Sequence, residues 1–255
     1  ACRYPRQHFA QTALQSMGWL GFEDQENVST MHVPTLNHKP PAHVFYGESQ
    51  GGILGAGYVA LSGKTGLIDR GFFGSAGTSF ALIMTRSVDF LDYDKLLLLN
   101  FYNNRHVRML LALVQMAWDS VEASGVLAEP RNEPFPKVII RAGLGDVVVP
   151  TSSSEVLARA FGASALPGNP TKVYGVPMGS AADGTSDGPY ATLTELEYDK
   201  PYMTLSEDNA ILKQKKNAIH VCMRKDQAMI AQLAEFINTG KVINPCTDGC
   251  HRSEI

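Results

Sequence analysis

The chain has 255 residues, is 44% hydrophobic and 18% charged, and carries a formal net charge of -3. That length supplies one large core or two small ones. The charge lacks the basic footprint of a nucleic-acid binder, no apolar run approaches the ~20 residues that span a bilayer, and no basic-then-apolar leader opens the sequence.

In chain order, residues 8–20 carry apolar side chains at 9, 13, 14, 17 and 20 and read as a helix. Residues 42–46, entered through Pro40 and Pro41, read as a strand, and residues 51–61 as a helix. Residues 67–73 are a second strand. Residues 94–100 and 105–124 read as helices, the second apolar enough to be buried on most sides or packed beneath a lid, with Met109, Met116 and Trp118 as core. Residues 137–142 form a clear strand after Pro134 and Pro136. Residues 153–161 follow as a helix, with Ser152 or Ser153 as N-cap and Gly162 past its end. Residues 171–176 and 192–198 are weaker strands. The stretch 167–187, rich in Gly, Pro, Ser and Asp, reads as a long surface loop. Residues 226–237 are an amphipathic closing helix stopped by Gly240. Strand–helix alternation predicts one α/β domain over residues 1–255, with a mostly parallel sheet flanked by helices, a lid-like helical segment at 80–125 and a long loop at 163–190.

The four cysteines are Cys2, Cys222, Cys246 and Cys250. Cys246 and Cys250 could close a small tail loop and Cys2 could pair with Cys222, but spacing leaves the connectivity open. With the sequon Asn27-Val28-Ser29, they point to an extracellular or other oxidising compartment. His251 beside Cys250 makes only a weak zinc pattern, and no metal or cofactor is expected.

The strongest chemical signal is Gly47-Glu48-Ser49-Gln50-Gly51, placed between an expected strand and an expected helix. A serine on so sharp a turn projects its Oγ above the sheet edge, and the flanking positions must be nearly free of side chains. The helix N-terminus then aims amide N–H groups at a developing oxyanion, the Gln50 N–H first. A serine nucleophile needs a base and an orienting acid, which in this architecture follow in the order acid, then histidine. Of seven histidines, only His220 and His251 lie beyond the best acid, and His251 is among the last five residues. His220, before the closing helix, is the expected base. Asp146 follows the 137–142 strand through Gly143-Leu144-Gly145, where active sites form at the carboxyl ends of parallel strands. Asp183, Asp187, Asp199 and Asp208 follow no strand so clean. Glu48, beside the serine, reads as an exposed turn side chain able to tune the site.

The stretches Phe45-Tyr-Gly-Glu-Ser-Gln-Gly-Gly-Ile53, Thr85-Arg-Ser-Val-Asp-Phe90, Gln115-Met-Ala-Trp-Asp119, Gly145-Asp146 through Arg159, and His220-Val-Cys-Met-Arg224 through Cys246 resemble the α/β-hydrolase superfamily over about residues 40–240. More narrowly they resemble a bacterial group of exported α/β-hydrolase-like proteins. The resemblance implies a serine hydrolase fold with Ser49 as nucleophile, Asp146 as acid and His220 as base, acting on a small-molecule acyl substrate. Strands and helices that precede the serine in this architecture need roughly 75 residues, whereas 48 precede Ser49. The expectation is an N-terminally incomplete sheet, with the remaining strands supplied or covered by another chain or precursor fragment. Two functions follow: an ester-cleaving enzyme, or a weak or inactive hydrolase-like subunit of a larger assembly.

Overall fold

The computed structural model describes residues 43–62, 68–128, 136–179, 190–198, 218–246 and 249–252. The 8–20 helix, the Asn27 sequon, Cys2, and Asp183, Asp187, Asp199 and Asp208 lie outside them. The described strands are β1 (Val44–Glu48), β2 (Arg70–Gly74), β3 (Lys137–Gly143), β4 (Ser164–Ala165), β5 (Ala191–Tyr198) and β6 (His251–Arg252). They run in the order β1-β2-β3-β5-β4, with β6 beside the end of β5, and every strand pairing among the described residues is parallel. Among the described residues β1 pairs only with β2. The fold is therefore mixed α/β with a mostly parallel sheet flanked by helices.

Side chains alternate across a strand, so the register sorts the sheet into two faces. On one face Phe73, Val138, Ile140 and Leu193 meet Ala56 and Val59 of α1 (Gln50–Ser62), Ala123 of α5 (Ala123–Ala128), and Leu157 and Ala158 of α6 (Thr151–Ala160). On the other, Phe72 and Ile139 meet Phe236 of α8 (Gln227–Thr239), and Leu196 meets Ile219 of α7 (Ile219–Cys222). A parallel sheet buried on both faces in this way explains the near-continuous apolar runs of β3 and β5. The Asp226 side chain caps α8 by accepting from the Met229 N–H, and Gly240, at φ +76°, ends it where a side chain would be strained.

The helices between β2 and β3 depart most from expectation. After α2 (Phe80–Met84) and α3 (Leu91–Phe101), the expected 105–124 helix is two elements, α4 (Asn104–Trp118) and α5, broken at residues 119–122. At the break the Glu122 carboxylate turns inward to accept from the Phe80 N–H and the Thr78 hydroxyl. Nor is α4 buried on most sides. Only Val107 and Leu111 are buried, and Met109 and Met116 are exposed rather than core, because α4 is itself the outer layer. Trp118 does pack inward, 5.2 Å from the Phe80 ring. Residues 171–176 form turns rather than a strand. The Asn169 side chain accepts from the Glu195 N–H while Asn169 and Thr171 donate to the Glu195 carboxylate, which pins the loop to β5. Helix α6 starts at Thr151 with Pro150 as its N-cap, two residues before the expected start, and the Ser153 hydroxyl bonds the Pro150 carbonyl instead of capping.

Cys246 and Cys250 are joined by a disulfide, which excludes them as zinc ligands. Cys222 is also disulfide-bonded; its expected partner, Cys2, lies outside the described residues.

Candidate active site

The turn after β1 is built from backbone constraints. Ser49 has φ +56°, a left-handed conformation uncommon for a residue with a Cβ. Its N–H donates to the Gly74 carbonyl at 2.8 Å, and its own carbonyl accepts from the Ile53 N–H at 2.9 Å, so α1 begins directly after the turn. A Cβ on Gly47 would stand 2.5 Å from the Gly51 carbonyl oxygen. A Cβ on Gly52 would stand 2.6 Å from that of Ala76, whereas one on Gly51 would meet open space. The turn therefore requires Gly47 and Gly52; the second glycine of the sequence pattern, Gly51, is not the constrained one. Gln50 is the first residue of α1, so its N–H is among those a helix leaves without an internal acceptor.

Asp146 sits in the turn that follows β3. The Thr151 hydroxyl donates to the Gly143 carbonyl and accepts from the Gly145 N–H, bracing that turn from the start of α6. One Asp146 oxygen accepts from the Val148 and Val149 N–H groups at 2.8 and 3.1 Å. The other faces His220 Nδ1 at 2.7 Å. His220 is held in α7, which closes on the sheet because Gly143 has no side chain: a Cβ there would stand 2.5 Å from Ile219 Cγ2. His220 Nε2 faces Ser49 Oγ at 2.9 Å. Ser49, Asp146 and His220, separated by up to 171 positions, thus form one line of hydrogen bonds. His251 is not part of it; it pairs with Glu197 at 2.9 Å on an exposed edge.

No family model, curated protein or solved structure matches this chain.

Sequence reasoning missed a group of charges below the turn. Glu48 is not exposed: its side chain is 12% accessible and lies over Gly74, where any Cβ would overlap its carboxylate. It accepts from the Tyr46 hydroxyl at 3.1 Å and lies 3.6 Å from Arg224 Nε. Arg141 shares its register row through Gly74 and stacks 4.0 Å above the Phe72 ring. Burial pushes the Glu48 carboxyl up, against the opposing pull of Arg141 and Arg224. Burial also lowers the Arg141 guanidinium to about 10, with Glu48 resisting. Tyr46 is raised, by burial and then by the Glu48 charge. Arg224 also reaches the serine line itself: its Nη2 lies 2.7 Å from His220 Nε2. Two signals could have found these groups. Residues 48 and 141 share a sheet face by strand parity, and residues 220 and 224 are four apart on a helical stretch.

Among the described residues no cluster of His, Cys, Asp and Glu can hold a metal ion. No helix among them is long and apolar enough to cross a membrane.

Proposed function

We propose that this protein is a serine hydrolase of the α/β-hydrolase type, cleaving an ester or related acyl bond. The observation that carries the reading is the line from Asp146 through His220 to Ser49, at 2.7 and 2.9 Å, ending on a serine in a left-handed strand-to-helix turn. With Nδ1–H donated to Asp146, His220 Nε2 is the proton acceptor. Ser49 Oγ attacks the acyl carbonyl carbon as its proton passes to Nε2. The carbonyl oxygen becomes an oxyanion near the Gln50 N–H at the start of α1. The tetrahedral intermediate collapses, the acyl–oxygen bond of the ester breaks, and Nε2 returns the proton to the leaving alcohol. Water, deprotonated in turn by Nε2, then releases the acyl group from Ser49. No step calls for a cofactor. The Cys246–Cys250 disulfide supports an oxidising compartment.

The second reading, a weak or inactive hydrolase-like subunit whose β1 edge is covered by another chain or precursor fragment, is favoured by one observation. Among the described residues β1 pairs on one side only. A fluorophosphonate probe separates the two. Labelling of the wild type at Ser49, read by intact mass and lost in Ser49→Ala and His220→Ala, supports the enzyme. A correctly folded protein that takes no label supports the subunit.

A further inference from the structure

The Ser49–His220–Asp146 line has one neighbour that its chemistry does not use. Arg224 Nη2 lies 2.7 Å from the same His220 Nε2 that faces Ser49 Oγ at 2.9 Å. A guanidinium only donates, and an imidazole whose Nδ1–H is given to Asp146 has a single lone pair, at Nε2. Two donors therefore converge on one acceptor. The Ser49 proton can pass to Nε2 only to the extent that Arg224 gives up the lone pair.

The charges around Arg224 show what would draw it away. Two guanidiniums, those of Arg141 and Arg224, share the single carboxylate of Glu48, which also accepts from Tyr46. That carboxylate satisfies neither guanidinium fully. Arg224 Nε stands 3.6 Å from Glu48 Oε2, beyond hydrogen-bond distance. Both of these atoms, together with Arg141 Nε and Nη1, are buried without a hydrogen-bond partner among the described residues. Asp226 acts on Arg141 only at a distance, after Glu48 and Tyr46, and its carboxylate is engaged by Arg252 at 2.5 Å and by the Met229 N–H. Arg224 is about one-third accessible, so it can turn toward a molecule entering at Ser49. A neutral imidazole nitrogen is a poor acceptor for a guanidinium compared with a carboxylate, which accepts two parallel, charge-assisted bonds.

We propose that Arg224 is the specificity residue of the site. It selects acyl substrates that carry a carboxylate, and on binding one it leaves His220 Nε2 free for the Ser49 proton. This proposal rests on the reading of Ser49 as nucleophile. Arg224 holds the base through the contact to His220 Nε2. A neutral ester meets a base still occupied by a donor, while an anionic one releases it and is oriented by the same contact.

The test uses two esters of equal acyl length, 4-nitrophenyl hexanoate and the 4-nitrophenyl monoester of adipic acid. The wild type is expected to favour the adipic monoester at least ~10-fold in kcat/KM. Arg224→Gln should lower kcat/KM for the adipic monoester ~10–100-fold and raise it several-fold for the hexanoate, and Arg224→Lys should restore part of the preference. Titration calorimetry of free adipate against Ser49→Ala gives an arm independent of turnover: adipate should bind, and Arg224→Gln in that background should abolish binding. Thermal melts check that each variant is folded. Equal losses on both esters in Arg224→Gln would overturn the proposal and make Arg224 a donor to the oxyanion. No preference in a wild type that is labelled at Ser49 would overturn it and leave the hydrolase reading standing. Adipate binding that survives Arg224→Gln would overturn it as well. Absence of both labelling and turnover, with adipate binding lost in Arg224→Gln, would sink the hydrolase reading while upholding Arg224 as the carboxylate receptor.

Discussion

The two faces of the sheet are built from the same strands and solve different problems. The face under α1, α5 and α6 is close to dry: Phe73, Val138, Ile140, Leu157 and Leu193 fill it, and among the described residues β5 adds one buried carboxylate there, Glu195. The face under α7 and α8 mixes Phe72, Ile139 and Phe236 with Tyr46, Glu48, Arg141 and Gln232. Neighbouring residues of one strand, Phe73 and Gly74, belong to different faces. The difference teaches where burial and charge divide: one face supplies burial energy, and the other spends part of its own to keep charges beneath Ser49.

The sharpest test of that division is Phe73→Ala. Phe73 is fully buried and touches the Phe45 and Phe161 rings at 6.2 and 5.7 Å. Its truncation should cost about 3–5 kcal/mol in a urea melt, while turnover per folded molecule, counted by fluorophosphonate titration, stays near that of the wild type. Gly74→Ala should do the reverse. The new Cβ overlaps the Glu48 carboxylate and forces it off Arg224 and Tyr46. A stability loss of about 1–3 kcal/mol is expected, with a larger fall in turnover per folded molecule than Phe73→Ala gives. If Phe73→Ala lowers turnover per site as far as Gly74→Ala does, the two faces are not separate in function.

The division also explains what the sequence disclosed. The dry face was legible because its rules are local: apolar runs at period 2 and 3.6 placed β1, β3, β5, α1 and α6 close to where they lie. Ser49, Asp146 and His220 were legible because a glycine-flanked serine, a post-strand aspartate and a histidine before the closing helix each leave a mark along the chain. Glu48 was misread because its burial depends on a gap at residue 74, 26 positions away on the neighbouring strand. Met109 and Met116 were misread for the opposite reason. Apolar character reads as depth, but nothing in the pattern says which layer lies outside α4. The 105–124 helix was read as continuous because the inward turn of Glu122 is a tertiary event.

A smaller effect tests the charged side at its margin. Asp226 caps α8 and pairs with Arg252. Burial works against its ionisation, but the Arg252 and Met229 hydrogen bonds outweigh it and hold the carboxyl below the usual aspartate range. A depressed carboxylate contributes stability above its unfolded pKa, near 4, and loses it as pH falls through the folded value. Asparagine still caps, so Asp226→Asn isolates the charge. It should cost about 1 kcal/mol or less at pH 7, and the gap to wild type should narrow steadily in melts as the pH is taken down from about 4. A gap that persists at low pH would assign the effect to the cap.

Glu195, on the dry face, should bend the profile the other way. Burial raises its carboxyl, and the hydrogen bonds from Thr171 and Asn169 oppose that only in part. A raised carboxyl favours folding below its unfolded pKa, near 4.3, and loses that contribution as pH rises through the folded value. Glutamine keeps the acceptor for Thr171 and Asn169 without the charge. Glu195→Gln should therefore be stabilising at pH 7 by less than about 1 kcal/mol, with no difference from wild type near pH 3. A variant less stable than wild type at pH 7 would mean that the ionised carboxylate is worth more to the 169–171 loop than its burial costs. The dry face would then hold a charge for structural profit, as the other face does around Asp226.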